Sequence, residues 1–126
     1  TTLREAFERM IRYRRLIGDV LQLRLVPDGD AWRFEIDVSA HPDMPYQAVD
    51  AIAAITARQA RLLHEPRPCR PLVVCFARPA PADPAPYRRT FQAPVQFDAA
   101  VDGLRFAARD LDDPLPAGNA ELARAN

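Results

Sequence analysis

Residues able to carry catalysis or to bind a metal are few in this chain. Ser39 is the only serine, and the two histidines are His41 and His64. A helix is expected between these histidines, and roughly 19 residues at about 1.5 Å each span nearly 30 Å, so the two cannot share one metal ion. The chain has no lysine, which excludes a Walker-type phosphate loop. We therefore predict no enzyme activity, no metal site and no cofactor.

Arginine is the residue type best suited to an anionic ligand here, because its planar guanidinium binds carboxylate and phosphate groups in pairs of hydrogen bonds. All 17 basic residues are arginines, and 17 acidic residues balance them. A chain without net charge has no positive field to hold nucleic acid. We predict that this chain does not bind DNA itself.

The two cysteines, Cys69 and Cys75, are expected to be free thiols. If the chain between them is extended, six residues at about 3.3 Å each hold them roughly 20 Å apart. That distance is beyond the reach of a disulfide, and free thiols are typical of a reducing cytoplasm. Because Cys75 lies in an apolar run, we expect it to be a small core residue.

The first third of the chain predicts a helix followed by a hairpin. Thr2 and Glu5 form a capping-box pattern, and apolar residues then recur at helical spacing over residues 3–17, with Gly18 as the stop. Apolar and polar residues alternate over residues 21–38, on both sides of a turn signal at Asp28-Gly29. This alternation predicts two antiparallel strands with one apolar face.

The middle of the chain predicts a long helix, a buried strand and a short helix. Residues 46–64 contain neither glycine nor proline, and Glu65-Pro66 ends that helix. Residues 72–77 are continuously apolar, as in a central strand. Asp83-Pro84 is a suitable N-cap and first helical residue for a short helix, in which Tyr87 and Phe91 share a face.

The last part of the chain predicts a second hairpin and a final helix. Residues 95–97 and 104–108 are read as strands joined through the turn signal Asp102-Gly103. Residues 110–113 are interpreted as a solvated acidic turn, and Asn119 as the cap of a last short helix. These elements predict an α+β domain with a mainly antiparallel sheet of about five strands and helices packed on one side.

The length of 126 residues fits one domain with one core, so residues 1–126 are assigned to a single domain. No apolar run approaches the roughly 18 residues that a membrane span needs, and no signal peptide is recognised. We expect a cytoplasmic chain without a membrane partner.

Several stretches of the sequence resemble one known family. Residues 2–7 and 12–17 are similar to a helix that precedes that family's first hairpin. The most specific matches are residues 75–81, residues 87–91 together with 93–97, and residues 111–116. The family is the effector-binding, arabinose-binding-like N-terminal domain of AraC-type transcription regulators. The resemblance implies a domain that senses a small molecule and forms a homodimer, while a separate C-terminal domain with two helix-turn-helix units binds promoter DNA.

Two positions depart from the family's usual residues, and they bear on the choice of ligand contacts. Arg78 stands where histidine is common, and Asp102-Gly103 where asparagine is expected. Under this resemblance we predict Tyr13, Arg78 and Arg105 as contacts of an effector whose identity is open. The helix at the first residues further suggests that the domain lacks an upstream part, and helix-turn-helix units are not included.

Two alternatives to the sensor remain at this stage. One is a dimerisation module without a ligand pocket. The other is a small enzyme, which would need a cleft with Ser39 or with a histidine beside a carboxylate. Four aromatic residues could line an effector cavity, but aromatic residues at strand and helix spacing are more often core. They are Trp32, Phe34, Tyr87 and Phe91.

Overall fold

A computed structural model describes residues 1–17 and 21–116, and this part of the chain forms four helices and five strands. The predicted stop at Gly18 and the predicted helix after Asn119 lie outside the described residues. The elements in chain order are α1 (Leu3–Ile17), β1 (Gln22–Asp28), β2 (Ala31–Asp37), α2 (Tyr46–His64), β3 (Val73–Cys75), α3 (Ala85–Phe91), β4 (Val95–Gln96), β5 (Asp102–Ala107) and α4 (Ala108–Asp112).

The five strands form one sheet in the order β1-β2-β5-β3-β4. The pairs β1–β2, β2–β5 and β3–β5 are antiparallel, and only β3–β4 is parallel. Aromatic and aliphatic side chains of one sheet face pack against the helices, and charged side chains cover much of the other face. The predicted α+β class, with a mainly antiparallel sheet and helices on one side, is confirmed.

Helix α1 begins with the predicted capping box. The backbone N–H of Thr2 donates to Glu5 Oε1 at 3.0 Å, and the backbone N–H of Glu5 donates to Thr2 Oγ1 at 3.2 Å. The apolar face of α1 carries Phe7, whose ring centroid lies 5.1 Å from that of Phe34 and 5.6 Å from that of Phe106. These three rings fix α1 against the centre of the sheet.

The first hairpin and helix α2 also follow the predictions. Strands β1 and β2 pair from Gln22 opposite Asp37 to Asp28 opposite Ala31, and Gly29 takes the left-handed conformation in the turn, with φ of 64°. In α2 the buried residues recur at helical spacing and face the sheet. They are Val49, Ile52, Ala53, Thr56, Ala57, Ala60, Leu63 and His64.

The predicted second hairpin is wrong. Strand β4 does not pair with β5 but lies parallel to β3, with Val74 opposite Val95. Strand β5 starts at Asp102 and inserts between β2 and β3. Gly103 therefore lies inside the sheet, opposite Glu35 and Cys75, and is not a turn residue. The local turn signal was outweighed by pairing with strands that are distant in sequence.

Three smaller expectations also need correction. Strand β3 covers only Val73–Cys75, and only its residue Val74 is fully buried, so Cys75 is half-buried rather than a core residue. Pro84 takes the N-cap position of α3, and Asp83 accepts a hydrogen bond from the backbone N–H of Ala85. The acidic segment read as a turn lies mostly in α4, because Leu111 is buried against the core.

The two ends of the described fold meet. Thr2 and Pro114 form an isolated antiparallel bridge, and the backbone N–H of Leu115 donates to the carbonyl oxygen of Thr1 at 2.9 Å. Helix α4 packs beside α1 at this junction, where Arg4 Nε lies 3.3 Å from a carboxylate oxygen of Asp112. Among the described residues, no helix is both long and apolar enough to cross a membrane.

Candidate functional site

Arg78 is the centre of a polar cluster between the sheet and two helices. Arg78 lies on the same side of the sheet as the buried Phe76 and faces α2 and α3. Its Nη2 contacts a carboxylate oxygen of Asp50 in α2 and donates to Tyr87 Oη in α3 at 2.9 Å. Tyr87 in turn donates to the other carboxylate oxygen of Asp50 at 2.8 Å. We call Arg78, Asp50 and Tyr87 the polar triad.

Aromatic rings surround the guanidinium of Arg78. Its carbon Cζ lies 4.3 Å from the ring centroid of Phe76, 4.8 Å from that of Tyr46 and 5.9 Å from that of Phe97. A cation over aromatic faces is stabilised electrostatically, and the effect grows when water is excluded. The side chain of Arg78 is only 20% exposed and that of Asp50 26%. The triad is therefore partly shielded from water.

This environment keeps the phenol of Tyr87 neutral. Burial raises the pKa of Tyr87, and the hydrogen bond to the Asp50 carboxylate raises it further, because a deprotonated phenol could not donate that bond. The contact with Arg78 acts in the opposite direction. The triad thus presents a neutral hydroxyl and a carboxylate whose charge is balanced by a guanidinium.

An apolar cavity of about 500 Å³ lies between α2 and α3, next to the triad. Asp50 and Tyr87 are part of its wall, whereas their partner Arg78 is not among the lining residues. Such a cavity, mostly apolar with a few convergent polar groups, is the usual form of a small-molecule site. Its lining residues are Gln47, Asp50, Ala51, Ala54, Pro86, Tyr87, Thr90 and Phe91.

The other two predicted ligand contacts do not join Arg78. Arg105 lies on the opposite, charged face of the sheet, where its Nε is 3.1 Å from Asp28 Oδ2 and its strand partner is Arg33. Tyr13 is on α1 and is 63% exposed. The structure therefore distributes Tyr13, Arg78 and Arg105 over three separate surfaces.

The two positions that depart from the family's usual residues are physically connected. Asp102 Oδ1 accepts a hydrogen bond of 2.8 Å from the backbone N–H of Ala77, the residue just before Arg78. Asp102 also lines a second cavity, of about 400 Å³, with Arg24 and Asp37. Hydrogen bonds from Ser39 lower the pKa of Asp37, and Arg24 Nη2 lies 3.0 Å from its carboxylate. Asp102 thus links this cavity to the chain that carries Arg78.

The residue that the sequence reasoning missed is Asp50. A signal for it was present, because Asp50 is the only acidic residue between Tyr46 and His64 and stands next to the buried Val49. Of the four aromatic residues considered for a cavity, Phe34 and Phe91 are core, and Trp32 donates through Nε1 to Asp112. Phe91 and Tyr87 also line the cavity.

One group of described residues has side chains suited to a metal ion. His64, Cys69 and Asp110 place their donor atoms within 4.8 Å of one another. None of them was singled out from the sequence as a ligand. His41, in contrast, is exposed in the loop before α2.

The fold is an α+β domain with its helices on one side of the sheet. Comparison with known families identifies the family to which it belongs. The sequence model of the arabinose-binding domain of AraC transcription regulators, N-terminal, matches residues 1–115. The chain therefore belongs to this family, whose members are domains of transcription regulators rather than of an enzyme family. No curated protein matches the chain.

A solved structure has the same fold. The transcriptional regulator CdpR from Pseudomonas aeruginosa superposes with a TM-score of 0.70 at 17% sequence identity, covering 97% of this chain and 40% of that chain. The chain thus spans less than half of that regulator's length.

Proposed function

We propose that this domain binds a small effector, forms a homodimer and controls DNA binding by a separate C-terminal helix-turn-helix domain. The family supports the regulatory role. The observation that carries the proposal of a sensor is the apolar cavity beside the polar triad, with Asp50 and Tyr87 in its wall. The proposal places the domain in the cytoplasm, with promoter DNA as a partner only of the other domain.

The cavity supports an uncharged effector with an apolar body and a hydroxyl group or other hydrogen-bond donor. A donor can bind the carboxylate of Asp50, and the apolar body can fill the space between α2 and α3. An anionic group would lie against the carboxylate of Asp50, because Asp50 lines the cavity and its partner Arg78 does not. In this proposal Arg78 orients Asp50 and Tyr87, while Tyr13 and Arg105 stay predicted contacts on other surfaces.

The signal would be a population shift between two arrangements of the dimer. An effector that binds one arrangement more tightly increases its population and so changes the spacing of the two DNA-binding units. In this proposal, contacts with α2 and α3 make the effector bind one dimer arrangement more tightly than the other. Both helices line the cavity, and both contribute a residue to the triad.

A thermal-shift screen with hydroxylated apolar metabolites tests the sensor. At a concentration of about 100 times Kd, a true effector is expected to raise the melting temperature by about 10 °C. Asp50→Asn and Arg78→Lys should each weaken binding at least about tenfold, which corresponds to about 1.4 kcal/mol. Asp43→Asn and Arg89→Lys are the matched controls, since both residues are exposed and outside the cavity wall.

Other results would contradict parts of this proposal. If no compound raises the melting temperature but sedimentation shows a dimer, the domain is a dimerisation module without a ligand. A chain that stays monomeric at high concentration contradicts the homodimer. Binding that is lost in Tyr13→Ala or Arg105→Met, and retained in Asp50→Asn, would place the effector on another surface. A gene without helix-turn-helix units after residue 126 would overturn the regulatory role.

A further inference from the structure

Three side chains with different donor atoms meet where α2, the segment before β3 and α4 come together. His64 is the last residue of α2, Cys69 lies five residues later, and Asp110 is in α4. Their nitrogen, sulfur and oxygen donor atoms all lie within 4.8 Å of one another. His64 is 3% exposed and Cys69 2%, whereas Asp110 is half-buried. We call them the His-Cys-Asp cluster.

We propose that the His-Cys-Asp cluster binds one zinc ion. Imidazole nitrogen, thiolate sulfur and carboxylate oxygen are the three donor types that Zn²⁺ takes from proteins, and a mixed set with sulfur disfavours Mg²⁺ and Ca²⁺. Three protein ligands leave one position of a tetrahedral ion for water or another small ligand.

A hydrogen bond to the backbone holds the histidine of the cluster in place. His64 Nδ1 lies 3.1 Å from the carbonyl oxygen of Ala60. A carbonyl oxygen can only accept, so this hydrogen bond requires the proton on Nδ1, and in the neutral ring Nε2 is then the nitrogen available to a metal ion. Fixing the tautomer through a backbone carbonyl is how metal-binding histidines are usually held.

The distances are close to those that zinc needs. Bond lengths of about 2.3 Å to sulfur and 2.0 Å to nitrogen place neighbouring ligands of a tetrahedral ion about 3.5 Å apart. The donor atoms of the cluster, within 4.8 Å of one another, must approach by about 1 Å. The half-buried Asp110, on the five-residue helix α4, is the member best placed to move.

The charge of the bound site is compatible with its surroundings. Cys69 is one of the residues that line a cavity of about 340 Å³ beside the cluster. Four arginines also line that cavity, but Zn²⁺ with a thiolate, a carboxylate and a neutral imidazole has no net charge. The bound site therefore does not repel these arginines, which are Arg58, Arg61, Arg67 and Arg70.

The cluster is poorly suited to redox or nucleophilic chemistry. Burial raises the pKa of the Cys69 thiol to about 12, with a further contribution from the charge of Asp110. A reactive cysteine needs the opposite, a lowered pKa that yields thiolate at neutral pH. Zinc does not need a preformed thiolate, because a metal ion displaces the proton of the thiol it binds. His64 Nδ1 is held by a backbone carbonyl rather than by Asp110, unlike the histidine of a Cys-His-Asp catalytic triad.

This site is separate from the proposed effector cavity. Asp50 and His64 are 14 positions apart in α2, which is about 21 Å along the helix axis. Failure of the effector proposal would leave the zinc proposal unaffected, and the reverse also holds.

Titration with Co²⁺, a spectroscopic substitute for Zn²⁺, tests the proposal on the purified chain after removal of metals with a chelator. We expect one equivalent of Co²⁺ to produce a thiolate-to-cobalt charge-transfer band, and one equivalent of Zn²⁺ to remove it. Cys69→Ala should abolish the band. Asp110→Asn removes the negative charge of the half-buried carboxylate and should weaken Co²⁺ binding at least tenfold.

Matched controls are available in the same chain. Cys75→Ala and His41→Ala change the other cysteine and the other histidine, and both variants should bind Co²⁺ like the wild type. Circular dichroism verifies that each variant is folded. The proposal is overturned if the folded wild type gives no charge-transfer band, if Asp110→Asn binds Co²⁺ unchanged, or if Cys75→Ala loses the band.

Discussion

The hydroxyl of Tyr87 is useful to the polar triad only while it is protonated. The raised pKa means that folding favours the neutral phenol, mainly because the group is buried and then because it donates to Asp50. Its contribution to stability is fully present below the unfolded pKa of about 10 and is lost as the pH rises through the raised folded value. We expect Tyr87→Phe to cost about 1 kcal/mol near neutral pH.

The test is urea unfolding of the wild type and Tyr87→Phe at about pH 8 and about pH 11. The stability gap between the two proteins should narrow at the higher pH, because only the wild type loses the contribution of the phenol. Tyr13→Phe is the matched control, since the side chain of Tyr13 is 63% exposed. A Tyr87→Phe gap that is equal at both pH values would contradict the role assigned to the neutral hydroxyl.

The sequence pointed to Arg78 but not to its partner Asp50. Arg78 stood out because it departs from the family's usual residue at a strand end. Asp50 is 28 positions earlier in the chain, and no local pattern connects the two. Only the packing of α2 on the sheet brings the Asp50 carboxylate to the Arg78 guanidinium. Asp110 and His64 are also far apart in the chain and meet only in the folded domain.

Strand β5 requires glycine at position 103, because the neighbouring strand leaves no space for a side chain there. A Cβ atom on Gly103 would lie 2.4 Å from the carbonyl oxygen of Phe34 in the neighbouring strand, and backbone cannot move aside as a flexible side chain would. Overpacking of this kind usually costs about 1 to 3 kcal/mol. We therefore expect Gly103→Ala to destabilise the domain by at least about 2 kcal/mol, as measured by urea unfolding.

Gly29 provides the control for that experiment. It has a positive φ of 64°, but no atom lies within 4 Å of a Cβ built there. Asparagine tolerates the left-handed conformation, so Gly29→Asn should change the stability by less than about 1 kcal/mol. Equal losses of stability in Gly103→Ala and Gly29→Asn would show that the contact with Phe34 does not explain why glycine is needed at position 103.

The elements that sequence predicted well are those whose signal is local. Helix α1 and the first hairpin follow from periodicity and capping within a few residues. Strand β5 was predicted, but its pairing was wrong because its neighbours β2 and β3 come from other parts of the chain. Asp102-Gly103 was mistaken for a turn between adjacent strands. Helix α4 was missed because five residues with three charges show little periodicity.

The sheet separates a mainly apolar side of the molecule from a charged side. Its helical side holds the aromatic core, the polar triad and the apolar cavity. Its other side holds ion pairs, among them Arg105 with Asp28 and Arg33 with Glu35, where the closest atoms are 3.1 Å and 3.0 Å apart. A single small effector cannot contact Arg78 and Arg105 at once, because the sheet lies between them.

The bridge between Thr2 and Pro114 holds the two ends of the described fold next to each other. The N–H of Leu115 and the carbonyl oxygen of Thr1 are only 2.9 Å apart, so a short glycine linker can join the ends of residues 1–116 without new strain. A circular permutant opened in the exposed proline segment at residues 79–83 should keep its urea midpoint, whereas one opened inside β5 should not fold. The same arrangement of helices and strands would then form from a different order of elements along the chain.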